Sequence, residues 1–555
     1  MRTDSETRLP GAALVVLAAL AILYLPWLGE TLFNSKGEPR EAIVAVSMLQ
    51  SGNWILPLNY GDDIPFKPPF LAWLIAGAAW LFNGGVVNEY LSRLPSVLAA
   101  IAMVMAGFFW ARRERGERFA VIYSFVTICS FEVFRAAMAC RLDMVLTACM
   151  VISIYMLYNL CEHRGHHRML RYAAVVALLS CATLTKGPVG SLLPCFAMGI
   201  YYLLRGRRFF PTLGLMLGLS ALSLILPAWW SYEAFKVGGQ HFVDLFMEEN
   251  IGRLTGTMSY ESHVNPWWYN FMTLAAGLLP WTLLCILALC ANTRHLRRSP
   301  LKPAGLLSAT VAIVVIAFYC IPDSKRSVYL LPAYPFLCYG ITSMIETIAS
   351  RKTMRSFAWL MAVLAIAVPA AFIAMHFYPV AKLPLAPTPW WGYSVLVVPV
   401  LCGCSWIACR HSTVAHTTAI VWSLYLAYTA TVMPAVLNPR SDSRILGELP
   451  EDGTVYSYSH MPNYRFYTLN YYLDDRMRHL DTPAEVSRLD EGSVLIIPTE
   501  ADSAALSGEF ECRRLLDRSC DHRHHLYLAV KKAPATHPAA ASDSISPKPA
   551  ISPAD

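Results

Sequence analysis

The sequence predicts a polytopic α-helical membrane protein of about thirteen spans with a small α/β domain at its C-terminal end. Three observations predict it. Of the 555 residues, 55% are hydrophobic and only 15% charged, whereas a soluble domain carries about a quarter charged residues to cover its core. The apolar residues gather in runs of roughly twenty, enough for a helix to cross a hydrocarbon layer. After Asn438 those runs give way to short apolar segments between turns. The formal net charge of +7 does not point to nucleic acid, because the 45 Lys and Arg fall in short clusters between apolar runs, not along one basic face.

Taken in order, the spans begin with Leu9–Leu28, which follows a short arginine-bearing leader and is too long for a signal h-region. It reads as a retained helix. Further spans are expected near Leu91–Trp110, Phe119–Ala137, Leu142–Leu160, Tyr172–Leu184, Val189–Leu204, Phe209–Trp230 and Trp267–Ala291. The series ends with Gly305–Ile321, Val328–Ile348, Phe357–Phe377, Trp391–Cys409 and Val414–Val436. The run Pro69–Phe82 is short for a span and suits an interfacial helix. Charge decides that point. If the run does not cross, Arg112–Arg115, Arg164–Arg171, Arg205–Arg208, Arg294–Lys302 and Arg351–Arg355 all share one side, the cytoplasm by the positive-inside rule. The opposite face then receives the first loop, residues 30–90 with its interfacial helices, the segment Ser231–Pro266, the turn at Asp323–Arg326, and the tail.

The expected division is a membrane domain over residues 1–437, an outer α/β domain over 438–532 and a disordered tail over 533–555. Thr454–Tyr458 and Ser493–Ile497 read as strands, Pro483–Leu489 as a helix. The Ala, Pro and Ser run after Lys532 holds too little apolar surface to fold. Of fifteen cysteines, most sit singly in apolar runs as small hydrophobes; Cys512 and Cys520 look pairable in an oxidising compartment, but spacing alone leaves open whether they form a disulfide.

Basic residues on the outer face oppose the positive-inside bias, so each needs a reason. They recur in short motifs at helix ends: Arg40 in Gly37-Glu38-Pro39-Arg40-Glu41, Lys67 before Pro68-Pro69, Arg141-Leu142-Asp143, Thr185-Lys186-Gly187-Pro188, Arg253 in Asn250-Ile251-Gly252-Arg253, and Ser324-Lys325-Arg326. A phosphate is one such reason, because cations aimed at phosphoryl oxygens stabilise a leaving group where water is excluded. Snorkelling to lipid headgroups is the other.

The ordered set also includes Ser51-Gly52-Asn53-Trp54, Glu249 before Asn250, His263 with Pro266-Trp267-Trp268-Tyr269, and Tyr329-Leu330-Leu331-Pro332. In this order the motifs resemble the membrane glycosyltransferases of the type C (GT-C) fold. The resemblance is to the branch holding the 4-amino-4-deoxy-L-arabinose transferase of lipid A and relatives of protein O-mannosyltransferases, and it covers about Leu9 to Ile348.

The resemblance implies inverting transfer of a sugar from a polyprenyl (undecaprenyl) phosphate carrier to an envelope acceptor, lipid A or another glycolipid, at the periplasmic face of the inner membrane. It assigns Glu38 and Asp143 as catalytic acids. Arg40, Lys67, Lys325 and Tyr329 hold the lipid phosphate, and Arg141, Lys186 and Arg253 join them as substrate-binding residues. No cofactor is required by the sequence, and no Walker-type loop is present. Two departures from the family pattern stand out. Gly37 replaces the first acid of an Asp-Glu pair, and Phe66 stands where the aminoarabinose transferase has a metal-binding glutamate, leaving His263 as the remaining metal candidate. A protein O-glycosyltransferase with the same donor class is the rival enzyme. A lipid-linked sugar transporter or flippase is the rival of another class, disfavoured because its ionisable groups belong near the midplane of broken helices.

Overall fold

The computed structural model describes residues 10–65, 67–163, 167–252, 264–290, 302–348, 352–378, 384–409, 414–461 and 464–533. The chain divides into two compact units. The first runs to Glu448 and takes in Phe466–Met477 and Ser519–Arg523 from the tail, beyond the boundary at 437 expected from hydropathy. The second comprises Leu449–Arg465, Arg478–Arg518 and the chain from His524 on. From residue 534 the expected disordered tail lies outside the described residues.

The first unit opens with α1 (Gly11–Tyr24), α2 (Pro39–Ser51) and α3 (Phe70–Phe82). Then come α4 (Glu89–Arg115), α5 (Glu117–Ile128), α6 (Phe131–Ala137), α7 (Leu142–Glu162), α8 (Arg168–Lys186), α9 (Val189–Leu204), α10 (Phe209–Ser223) and α11 (Ile225–Met247). After these follow α12 (Tyr269–Gly277), α13 (Trp281–Cys290), α14 (Pro303–Cys320), α15 (Tyr334–Ile348), α16 (Lys352–Phe377), α17 (Trp390–Cys409) and α18 (Val414–Ala427).

Among the described residues, 9 helices are long and apolar enough to cross a membrane, or up to 11 when the bent pairs α5–α6 and α12–α13 each count as one span. Two of the thirteen expected spans, α1 and α9, are shorter apolar helices, as is α3 in the first loop. Hydropathy cannot see the 70° break between α5 and α6 or the 103° break between α12 and α13, since it reads composition and not direction. Large apolar side chains such as Phe196, Phe210, Leu217 and Ile313 lie on the outside of the spans. In water they would be a liability; against lipid tails they are not.

Helix ends follow from local chemistry. Asn88 caps α4, its side chain accepting the Leu91 N–H at 2.9 Å, and Arg112, Arg113 and Arg115 in the last turn complement the dipole. Asp143 stands in the first turn of α7, where the dipole favours an acid. Helix α7 runs from Asp143 to Glu162, and α8 returns from Arg168 to Lys186. Lys186 Nζ therefore meets Asp143 at 2.5 Å at one end, while Arg205 meets Glu162 at 2.8 Å and Arg115 meets Glu346 at 2.7 Å at the other. The two charge sets sit about 30 Å apart, the length of α7 at ~1.5 Å per residue.

A buried ion pair organises the site end. Arg93 of α4 is 1% exposed and grips Glu38 with Nε–Oε1 at 2.8 Å and Nη2–Oε2 at 3.2 Å. Its remaining nitrogen donates to the carbonyls of Leu28 and Thr31 at 2.8 and 2.5 Å. Glu38 also accepts the Cys140 N–H at 2.9 Å. Burial acts to raise the Glu38 carboxyl, but the Arg93 guanidinium and the Cys140 N–H outweigh it and hold the group below its ordinary range. One carboxylate thus ties together α4, the loop before α2 and the turn before α7.

The second unit centres on a five-stranded sheet, ordered β2-β1-β3-β5-β4. Its strands are β1 (Val455–Tyr458), β2 (Met477–Leu480), β3 (Val494–Ile497), β4 (Phe510–Leu516) and β5 (Leu526–Lys531). β1 and β3 run parallel, and β5 is antiparallel to both β3 and β4. Leu495, Ile497, Phe510 and Ala529 build its core with Val486 of the short helix Pro483–Ser487. The disulfide that spacing left open between Cys512 and Cys520 is not formed: both cysteines are free.

Replacing Arg93 with alanine leaves Glu38 buried without its partner, so Arg93→Ala is expected to destabilise the chain by about 3–5 kcal/mol. Arg93→Lys keeps the charge but loses the two-pronged grip and should fall between. Thermal unfolding of the detergent-solubilised protein measures both.

Candidate functional site

At the Asp143 end, Arg40, Lys67 and Lys186 of the sequence motifs line two neighbouring cavities that share Lys67. Lys186, the last residue of α8, bonds Asp143 and places its ammonium 4.4 Å from the centre of the Tyr329 ring, a cation–π contact. Tyr329 in turn lies against Tyr319, ring centres 5.3 Å apart. Lys67 forms an ion pair with Glu249, on the π-helical turn Glu248–Gly252 that ends α11.

Lys67, Lys186, Glu249, Ser324 and Tyr329 together form the polar head of a cavity of about 920 Å³. The rest of its wall is mostly apolar and comes from α9, α10, the end of α14 and the turn after it, with Leu192, Phe196, Leu213, Leu217 and Phe318. Phe196 and Leu217 are 62% and 58% exposed, so this wall opens sideways, toward the surface that faces lipid. A long apolar chain with an anionic head matches that distribution of polarity.

A smaller pocket shares Lys67 and is lined by Arg40, Glu41, Asn59, Asp63 and Tyr467. Arg40 pairs with Glu41 at 2.9 Å. Of the two acids expected to be catalytic, neither Glu38 nor Asp143 lines either cavity; Glu38 is held by Arg93 and Asp143 by Lys186. Lys325 is buried next to Ser324, and its carbonyl accepts Asn265 Nδ2 at 3.1 Å. Arg253 and His263 lie outside the described residues, as does Phe66.

Gly37 has a steric reason. A Cβ there would run into the guanidinium of Arg141, so the glycine is the seat of that side chain. The space beside Gly37 is filled by a cation.

Several residues escaped the sequence reading. Arg93 sits inside an apolar helix, Asn59 and Asp63 in a loop without a motif, and Tyr467 more than three hundred residues from Lys67. The signal for Arg93 was present: a charge inside an apolar run needs a partner. Arg326, named with the Ser324-Lys325-Arg326 motif, lies within electrostatic reach of Asp143, Arg141 and Lys36.

Among the described residues, one group has metal-ligating geometry: Asp442, Cys520 and Asp521, ligand atoms within 4.8 Å of one another. Its acids already have protein partners. Asp442 accepts from Ser519 Oγ at 2.5 Å and the Cys520 N–H at 2.8 Å, and Asp521 accepts from the Thr468 hydroxyl and, at 2.9 Å, the Thr468 N–H. Burial and the neighbouring Asp442 push the Asp521 carboxyl up to about 7, against the Thr468 bonds and the nearby Lys36.

Comparison with known proteins adds three findings. Residues 66–232 match the family model described as dolichyl-phosphate-mannose-protein mannosyltransferase, a segment that holds Lys67, Arg141, Asp143 and Lys186. The chain is 26% identical over 322 residues to the undecaprenyl phosphate-alpha-4-amino-4-deoxy-L-arabinose arabinosyl transferase of Pseudomonas aeruginosa, covering 57% of this chain and 56% of that protein. It is 28% identical over 343 residues to the enzyme of the same name from Edwardsiella ictaluri, covering 60% of each. The chain therefore spans somewhat over half the length of these relatives. The crystal structure of ArnT from Cupriavidus metallidurans bound to undecaprenyl phosphate superposes with a TM-score of 0.72 at 20% identity, covering 94% of this chain and 98% of that one. The fold is thus the type C fold read from the motifs, in a multi-pass membrane protein.

Two outcomes follow from this geometry. Gly37→Ala is expected to destabilise the chain by about 1–3 kcal/mol through overpacking, and by less when Arg141→Ala has already vacated the space. A thermal-unfolding double-mutant cycle measures the coupling. Asp521 keeps a proton in the folded chain that the unfolded chain releases near 3.8. Its contribution to stability is therefore full below that value and is lost as pH rises through about 7. Unfolding temperatures recorded from pH 4 to pH 8 should show this slope, flattened in Asp521→Asn.

Proposed function

We propose that this chain, which shares the type C fold of membrane glycosyltransferases, transfers a sugar from a polyprenyl-phosphate carrier to an envelope glycolipid, lipid A or a similar acceptor. The reaction takes place at the periplasmic face of the inner membrane, where the second unit also resides. The observation that carries the reading is the placement of Lys67 and Lys186, with Tyr329, at the polar head of an apolar cavity open to the lipid side. The names of the matched family and of the arabinosyl transferases support the donor class, since each specifies a sugar linked to a polyprenyl phosphate. Undecaprenyl phosphate in the ArnT crystal structure supports the lipid.

The chemistry asks little of the protein beyond charge and position. An acceptor oxygen attacks the anomeric carbon, the bond from that carbon to the phosphate oxygen breaks, and the carrier leaves with one more negative charge than the phosphodiester had. Cations close to that oxygen in a water-poor site stabilise the developing charge. Lys67 and Lys186 are the first candidates, with Arg40, Arg141, Lys325 and Arg253 supplying further positive charge. Asp143 holds Lys186 and faces the reacting centre through it; a hydroxyl acceptor would need such a carboxylate to take its proton, whereas a phosphate acceptor would not. Glu38 acts one step back, by fixing the backbone that presents Arg141 and Asp143. The smaller pocket beyond Lys67, walled by Glu41, Asn59, Asp63 and Tyr467, is the place for the sugar or the acceptor head. The charged groups sit at helix ends, as a transferase working at the interface requires, and not at the midplane where a transporter would hold its cargo.

The test is transfer from a labelled polyprenyl-phospho-sugar to candidate glycolipids, with the product identified by mass spectrometry. Lys67→Ala, Lys186→Ala and Asp143→Ala should each lower the rate by about 10²–10³, the usual loss when one preorganised charge is removed, while leaving the protein in the membrane. Native rates in all three would remove these residues from the site.

A further inference from the structure

A site that binds an anion has little use for a carboxylate, yet Glu249 lines the polar head of the large cavity beside Lys67 and Lys186. It is 7% exposed, and its partner Lys67 also lines the head. A second feature of the same wall points to a missing acceptor. Among the described residues the Ser324 hydroxyl, itself buried, has no hydrogen-bond partner, and Ser324 is one of the residues that line the cavity. A buried donor left unmade is unfavourable, and a phosphate oxygen in the head would satisfy it.

We propose that Glu249 is an exchangeable counter-ion of Lys67. It holds the ammonium while the cavity head contains no anion, yields it to the phosphate of an arriving carrier, and competes for it again when the spent carrier leaves. The Ser324 hydroxyl donates to the phosphate in the bound state. The inference rests on the lipid-carrier reading above and deepens it.

Without an anion, Lys67 would be a cation at the edge of a low-dielectric cavity, and a lone charge there is strongly disfavoured. Glu249 removes that penalty and keeps Lys67 extended toward the head. With a phosphate present, two anions compete for one ammonium. The competition matters most after transfer, because the product is a phosphomonoester whose second ionisation lies near pH 6, so it carries more charge than the donor and binds cations harder. A carboxylate waiting beside Lys67 offsets that extra attraction and lets the spent carrier dissociate. Asp143, which lines neither cavity, is the counter-ion of Lys186 and sits in the first turn of a helix, where the dipole favours an acid. Glu249 sits instead on a single π-helical turn, beside the cavity head.

The experiment titrates the full chain in lipid nanodiscs with undecaprenyl phosphate and, separately, with undecaprenol, which has the same tail and no anion. The native chain should prefer the phosphate. Glu249→Gln should bind the phosphate about tenfold tighter, the effect of removing one close like charge, with its affinity for the alcohol unchanged. A merely structural role for Glu249 would weaken both ligands together. Ser324→Ala should weaken the phosphate by about threefold to tenfold and leave the alcohol alone. Phosphate affinity in Glu249→Gln that is equal to or weaker than native, in a chain that still prefers phosphate over alcohol, overturns the counter-ion role and leaves the carrier reading standing. A native chain that does not distinguish the two ligands removes the carrier reading itself. Where Glu249→Gln does not fold, Ser324→Ala decides, and an unchanged phosphate affinity there sinks the proposal.

Discussion

The buried pair of Glu38 and Arg93 is the interaction on which the site end of the membrane unit depends. Arg93 belongs to a span, Glu38 to the loop that enters α2, and the N–H that Glu38 also accepts belongs to Cys140, three residues before Asp143. Neither charge tolerates the loss of the other in so apolar a setting, so the pair enforces one geometry. Position 37 follows from it. Arg141 lies across the neighbour of the clamped glutamate, and any side chain at position 37 would have to push its guanidinium aside.

Around that clamp, the outward charges come in pairs of opposite sign: Lys186 with Asp143, Lys67 with Glu249, Arg40 with Glu41, Arg135 with Glu132. Such pairing lets many cations collect near lipid without the penalty of isolated charge. It also means that the acids of the site are counter-ions as much as catalysts. Two of them, at positions 38 and 143, drew the functional reading from motif likeness, yet each is held by a cation and neither lines either of the two cavities described above. The carboxylates that line those two, Glu41, Asp63 and Glu249, come from a helix, a loop and a π-helical turn with no shared pattern.

Much of the architecture was legible in the amino-acid sequence because the bilayer is a simple solvent. It admits helices of a given length, excludes unpaired charge and sorts basic residues to one side, so long apolar runs and charge clusters translate directly into spans. The segregation of Arg115, Glu162 and Arg205 from Asp143 and Lys186 follows from helix length alone. The strands at Val455–Tyr458 and Val494–Ile497 were equally readable, since alternation and turn residues are local signals.

What only the tertiary structure decided is which charges meet. Whether a lysine finds a phosphate, a glutamate or an aromatic ring depends on helix rotation and on bends that composition does not record, as at the breaks between α5 and α6 and between α12 and α13. The return of Phe466–Met477 and Ser519–Arg523 to the membrane unit, which brings Tyr467 to the pocket of Arg40 and Lys67, is a contact across hundreds of residues. Hydropathy is a local sum and determines where the chain crosses; electrostatic pairing is a property of distance in space, and distance is set only when the helices pack.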